Sequence, residues 1–162
     1  MANGMPSFGQ DESVADSLIQ VYESGNYDPA LKLKLLSRIT VNLPDPDRIL
    51  AYSDSLMTEA IRQDSTIYIF NAHLQKGNAL QQKGNLSGAL DSYFKGVKIA
   101  NTNFKKNQVA LMYTAIAAVY AGMDNRKNTR QYYTDAISIF KTEQDMPIRK
   151  IGTVRLTMPY VP

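Results

Sequence analysis

The groups in this 162-residue chain that could do bond-making chemistry are few and scattered. His73 is the only histidine, and there is no cysteine. Without cysteine, thiolate metal ligands, disulfides and a cysteine nucleophile are excluded. A lone imidazole has no second histidine or thiolate to complete a metal site, and no evident group to orient it as a base. His73 therefore reads as a packing residue on a helix. Asp45, Asp47 and Asp54 fall where a helix starts or shows a surface, so they read as caps and surface charges, not as an acid/base pair. Neither GxxxxGKS/T nor GxGxxG, the glycine patterns that cradle phosphates, occurs. Of the ten tyrosines, Tyr93, Tyr113, Tyr120 and Tyr133 fall on apolar stripes and are expected in the core. No catalytic, cofactor or metal-ligating residue is expected, and the reading is of a non-enzymatic chain. What remains is recognition by surface amides and apolar groups.

Composition narrows the class of partner. Hydrophobic residues make up 44% of the chain, enough for a core and too many for a disordered polymer. The net charge is +3, with the cations biased toward the C-terminal part: Arg126, Lys127, Arg130, Lys141, Arg149, Lys150 and Arg155. A solvated face is the plain explanation. Weak nucleic-acid binding by these basic helices is the second alternative function, although nucleic acid is not the expected partner. The apolar run QVALMYTAIAAVYAGM, 108–123, falls short of the roughly 20 residues that cross a bilayer. It reads as a helix buried between neighbours, so no membrane segment is expected. The start, MANGMPSFGQDES, lacks the apolar stretch of an intact export signal. SFGQ before an acidic start looks like what remains of a processed one, so a periplasmic location is expected, with the cytoplasm as the alternative.

Any binding groups must be carried by helices. No proline falls between Asp47 and Met146. Asp28-Pro29 and Asp45-Pro46 place an N-cap before proline, a helix-start signal. Apolar residues then recur with helical spacing, as in Leu86, Ala89, Leu90, Tyr93, Phe94, Val97 and Ala100. The spacing predicts seven helices, over 12–24, 29–43, 46–62, 65–83, 86–101, 104–121 and 125–143. Residues 1–11 are expected to be a disordered or vector-derived start, and 144–162 a tail or the opening of a further repeat.

The helices carry a repeat. Small residues recur at Ala60, Gly96 and Ala136, 36 and then 40 residues apart. Seven residues before each stand Ser53, Ala89 and Thr129, and three before each stand Met57, Tyr93 and Tyr133. In KGNALQQKGNLSGAL, 76–90, Gly77 is a small residue inside a helix and Gly84-Asn85 a turn. Glycine inside a helix lowers stability by about 1 kcal/mol relative to alanine. Close approach of a partner helix at Gly77 accounts for its use there, and a left-handed helix end accounts for Gly84.

This pattern resembles the tetratricopeptide repeat, most closely over 70–100, then over 109–140, and more loosely over 29–61. The resemblance implies an all-α fold of antiparallel helix pairs stacked as a right-handed superhelical solenoid. It implies a cap helix at 12–24 and repeats at about 29–62, 65–101 and 104–143. It also implies protein or peptide binding on the concave face of the first helix of each pair. By alignment that face offers Arg38 and Asn42, then Asn71, Leu74, Gln75, Asn78 and Gln82, then Leu111, Thr114, Ala115 and Ala118. DPALKLKLLSRI and DPDRILAYSDSLMTEAI also resemble the N-terminal repeat regions of bacterial signalling proteins, which precede a membrane helix and a cyclase, histidine kinase or DNA-binding domain. That implies a sensor or scaffold. The alternative is a homodimer formed through uncovered end helices.

Overall fold

The computed structural model describes residues 12–103 and 106–144. The expected start over 1–11 and the tail beyond Gln144 lie outside the described residues. Seven α-helices follow one another: α1 (Glu12–Ser24), α2 (Lys32–Asn42), α3 (Pro46–Arg62), α4 (Thr66–Gln82), α5 (Leu86–Asn103), α6 (Lys106–Gly122) and α7 (Arg126–Gln144). No strand is present among the described residues.

The expected start signals act as caps. Asp45 accepts from the Asp47 amide at 2.8 Å, with Pro46 in the first helical position. Asp28 accepts from the Ala30 amide at 2.9 Å, but the turn it opens, Pro29–Leu31, is a 3-10 turn, and α2 proper begins at Lys32. The turns after α3, α4 and α6 share one geometry. Asp64, Gly84 and Asp124 each have a positive φ, of 52°, 74° and 52°. In each turn the next amide reaches back to close the helix end: Ser65 to the Ala60 carbonyl, Asn85 to Leu80, Asn125 to Tyr120. This is the Schellman arrangement, which satisfies carbonyls that the helix end would leave orphaned. Asn85 then caps α5 by accepting from the Gly88 amide at 3.0 Å.

Among the described residues each helix packs on the next in sequence, and beyond that only α2 with α4 and α4 with α6 meet. The described residues therefore form an all-α stack of antiparallel helix pairs, a helical repeat solenoid. Its true period is 40 residues. The first helices of the pairs end at Asn42, Gln82 and Gly122, and the second helices begin at Pro46, Leu86 and Arg126. The 36-residue spacing from Ala60 to Gly96 is thus not the structural one. Ala60 lies one turn further along its helix than Gly96, and Leu56 is the counterpart by position.

The α4–α5 crossing carries the main core cluster, with Phe70, Ala89, Tyr93, Val97, Met112, Ile116 and Val119. Gly77 faces the Tyr93 ring so closely that a Cβ added there would lie 2.3 Å from Tyr93 Cε1. The ring is fully buried. Its hydroxyl donates to Asn78 Oδ1 at 2.7 Å, with Gln81 Oε1 at 3.2 Å. One helix gives up its side chain so that a ring can lie in the gap, and the ring's polar tip is satisfied beyond it.

The equivalent position in the last pair is not a glycine. Ala117 stands where Gly77 does and already carries the Cβ. Tyr133, expected in the core at the Tyr93 position, is instead 39% exposed. Tyr132 turns inward and packs against Tyr113 and Tyr120, with centroids 5.4 and 5.6 Å away.

Glu59 pins α2 to α3. Its side chain is 8% exposed and pairs with Lys32 at 3.1 Å, while Arg62 and Gln63 donate to its other oxygen. The Arg62 and Gln63 hydrogen bonds, with help from Lys32, hold its pKa at about 2 against the opposing effect of burial. The folded value lies below the ordinary 4.5, so this contribution is fully present above pH 4.5 and is lost as pH falls toward 2. Thermal melts should therefore show an acid limb between these values that flattens in Glu59→Gln. An unchanged limb would remove Glu59 as its source.

Candidate partner-binding surface

The contacts α2–α4 and α4–α6 have no counterpart among α3, α5 and α7. The first helices of the pairs therefore approach one another more closely than the second helices do, and the stack curves toward the α2/α4/α6 side. Every residue expected to bind a partner lies on these three helices. The 40-residue period aligns them as one stripe. Asn71, Leu74, Gln75, Asn78 and Gln82 on α4 stand in register with Leu111, Thr114, Ala115 and Ala118 on α6. On the first pair the register gives Leu31, in the 3-10 turn just before α2, and Lys34, Leu35, Arg38 and Asn42 on α2.

The stripe changes character along the stack. On α4 it is amide-rich: Asn71, Gln75 and Asn78 are half-buried and Gln82 is exposed. Asn78 is already engaged, since its oxygen holds the Tyr93 hydroxyl and its amide donates to Gln75 at 3.4 Å. It acts first on the α4–α5 contact. Leu74 and Ala115 are half-buried against the core cluster. On α6, Leu111 is 45% exposed and Ala118 half-buried. Thr114 is exposed and spends its hydroxyl proton on its own helix, at the Ala110 carbonyl. On α2, Arg38 is exposed, and Asn42 donates back to the Arg38 carbonyl at 2.8 Å. The groove thus runs from cationic over α2, through amide over α4, to apolar over α6.

Leu31, Lys34 and Leu35 were missed by sequence reasoning. A 36-residue register put α2 one turn out of step. The recurrence of helix ends at 42, 82 and 122 was the signal that would have found them. Beside them, Val21 and Tyr27 complete a cleft between α1 and α2 with Leu31, Lys34, Leu35 and Arg38.

Other candidate groups fall elsewhere. His73 is half-buried on α4, and burial, then Lys95 and Lys76, hold its pKa below the ordinary value. Its Nδ1 is buried without a hydrogen-bond partner. Asp47 and Asp54 pair with Lys83 and Lys76 across α3 and α4. Among the described residues no three histidine or carboxylate groups cluster to hold a metal, and no helix is long and apolar enough to cross a membrane. Arg126, Lys127 and Arg130 lie together, exposed, on α7. Arg149, Lys150 and Arg155 lie outside the described residues. Below these cations, Tyr133, Ile137 and Phe140 form an exposed apolar stripe, the last two at 52% and 42%. Their counterparts one period earlier, Tyr93, Val97 and Ala100, are buried in the core shared with α6.

No protein-family model matches the chain, and no curated protein matches it. A solved structure of a mutant of MamA is similar at 19% identity, with a TM-score of 0.39 over 80% of this chain and 97% of that chain.

Proposed function

We propose that this chain is a non-enzymatic protein-interaction module that receives an extended peptide or a partner surface along α2, α4 and α6. The observation that carries this reading is one stripe of positions, spaced 40 residues apart on the inward-curving side, that carries half-buried amides on α4 and an exposed leucine beside small residues on α6. Side-chain amides bind an extended backbone, and an exposed leucine beside small residues accepts an apolar contact. The narrower reading is the sensor or scaffold part of a bacterial signalling protein. It rests on the sequence resemblance alone and requires that the gene encode a membrane helix and an output domain.

Gln75→Ala with Leu111→Glu tests the surface, because neither residue bonds the Tyr93 hydroxyl and Gln75 meets Asn78 only through the long 3.4 Å hydrogen bond. Crosslinking in the source cell should lose its partner adducts in this variant, while the melting temperature stays near that of the wild type. Undiminished adducts would remove the groove from the account.

The exposed Tyr133, Ile137 and Phe140 support a second reading, self-association through the end helix. Sedimentation across a concentration series separates the two, since a strict monomer throughout rules this one out.

A further inference from the structure

The cleft between α1 and α2 differs from the rest of the groove. Its floor is Val21, Tyr27, Leu31 and Leu35, its rim carries Lys34 and Arg38, and it encloses about 180 Å³. Leu31 and Val21 remain 49% and 44% exposed beside it. Lys34 and Arg38 stand one helical turn apart, so two like charges share one edge of the cleft, an arrangement that disfavours the helix carrying them. Neither has an ion-pair partner among the described residues. Elsewhere from α1 to the end cap of α4 the cations are matched: Lys32 and Arg62 by Glu59, Arg48 by Asp16, Lys76 by Asp54 and Lys83 by Asp47. An apolar floor with an uncompensated positive rim is complementary to a group that is apolar at its tip and flanked by negative charge.

We propose that this cleft is the anchoring site for an acidic segment of a partner protein. One bulky apolar side chain of that segment rests on Val21, Leu31 and Leu35, and neighbouring aspartate or glutamate carboxylates lie on Lys34 and Arg38. The cleft is smaller than the roughly 300–1,000 Å³ of a drug-sized ligand site, and it suits a single side chain. It is also continuous in register with Asn71 and Gln75 on α4, so a chain anchored here can run on across the amides. The inference rests on the groove reading above and gives it a polarity, with the acidic part of the ligand over α2 and an apolar part over Leu111.

The test is selection of a short randomised peptide library on the immobilised full chain, followed by anisotropy titration of the enriched peptides labelled with fluorescein. Enriched sequences should carry a large apolar residue flanked by Asp or Glu. Their affinity should fall about tenfold or more in Lys34→Glu/Arg38→Glu, less in Lys34→Ala/Arg38→Ala, and also on raising salt from about 0.1 M to 1 M. Both side chains are exposed, and unchanged melting curves will confirm that the variants fold. Absence of any enriched sequence, enrichment without acidic residues, or equal binding by the charge-reversed variant overturns the proposal. Loss in the charge variants with Gln75→Ala/Leu111→Glu unaffected would keep the cleft and remove the wider groove. The opposite pattern would keep the groove and remove the cleft.

Discussion

Gly77→Val is expected to destabilise the fold by about 3 kcal/mol, at the upper end of what forcing extra carbon into a packed core does. A valine is a somewhat better helix former than glycine, so propensity works the other way, by a few tenths of a kcal/mol. The contact decides the sign. A Cβ at residue 77 would lie 2.3, 2.6 and 2.8 Å from three carbons of the Tyr93 ring, which is fully buried and stiff, with no flexible end to swing aside. Gly96 offers the contrast. Its added Cβ would meet Met112 Cε at 2.3 Å, and that is the far end of a flexible side chain, so strain there can be relieved locally. Urea melts of Gly77→Val check the expectation, and wild-type stability would show that the two helices do not need their close approach.

Removing the other side of the same contact should have the largest effect of all. Tyr93→Ala is expected to lower stability by about 3–5 kcal/mol, and Tyr93→Phe by about 1 kcal/mol through loss of the hydrogen bond at Asn78. The two residues touch, so their effects should not add. A cycle through Gly77→Ala and Tyr93→Ala should show a coupling of about 0.5–3 kcal/mol, the alanine methyl being tolerated once the ring is gone. Burial also raises the Tyr93 pKa well above the ordinary 10.0. With the folded value raised, the neutral phenol's contribution is complete below pH 10 and is lost as pH rises toward the folded value. The wild type should therefore lose stability in alkali more steeply than Tyr93→Phe. Parallel alkaline limbs would place the sensitive group elsewhere.

How far these features were legible in the chain differs from residue to residue. Asp45-Pro46 and Gly84-Asn85 mark helix ends because their chemistry is local, and the structure places caps and a left-handed turn there. Gly77 was legible because an interior glycine is unfavourable unless something must come close. Asp64 and Asp124, which adopt the same left-handed turn as Gly84, could not be singled out, because aspartate is equally at home in caps and on surfaces. Tyr133 misled because its place in the repeat matches Tyr93, while the position that faces it in register is Ala117 rather than a glycine, and the ring lies exposed. The α2 stripe was read one turn out of register for a related reason. Matching small residues aligns Ala60 with Gly96, yet what fixes the register is where helices stop, and α2 stops at an extended Leu43 with none of the glycine chemistry that marks the turn after α4. The cleft by α1 depends on how α1 lies over α2, and no spacing within either helix encodes that.

Contacts that reach no further than α2 to α4 and α4 to α6 have a mechanical result. Among the described residues the stack has no long-range strut, so a slight rotation at each interface would add to the next, as in a spring. Its stiffness is set by its softest joint. A ligand spanning from α2 to α6 would act as the missing strut, and its arrival could be felt at either end of the coil without any single joint changing much.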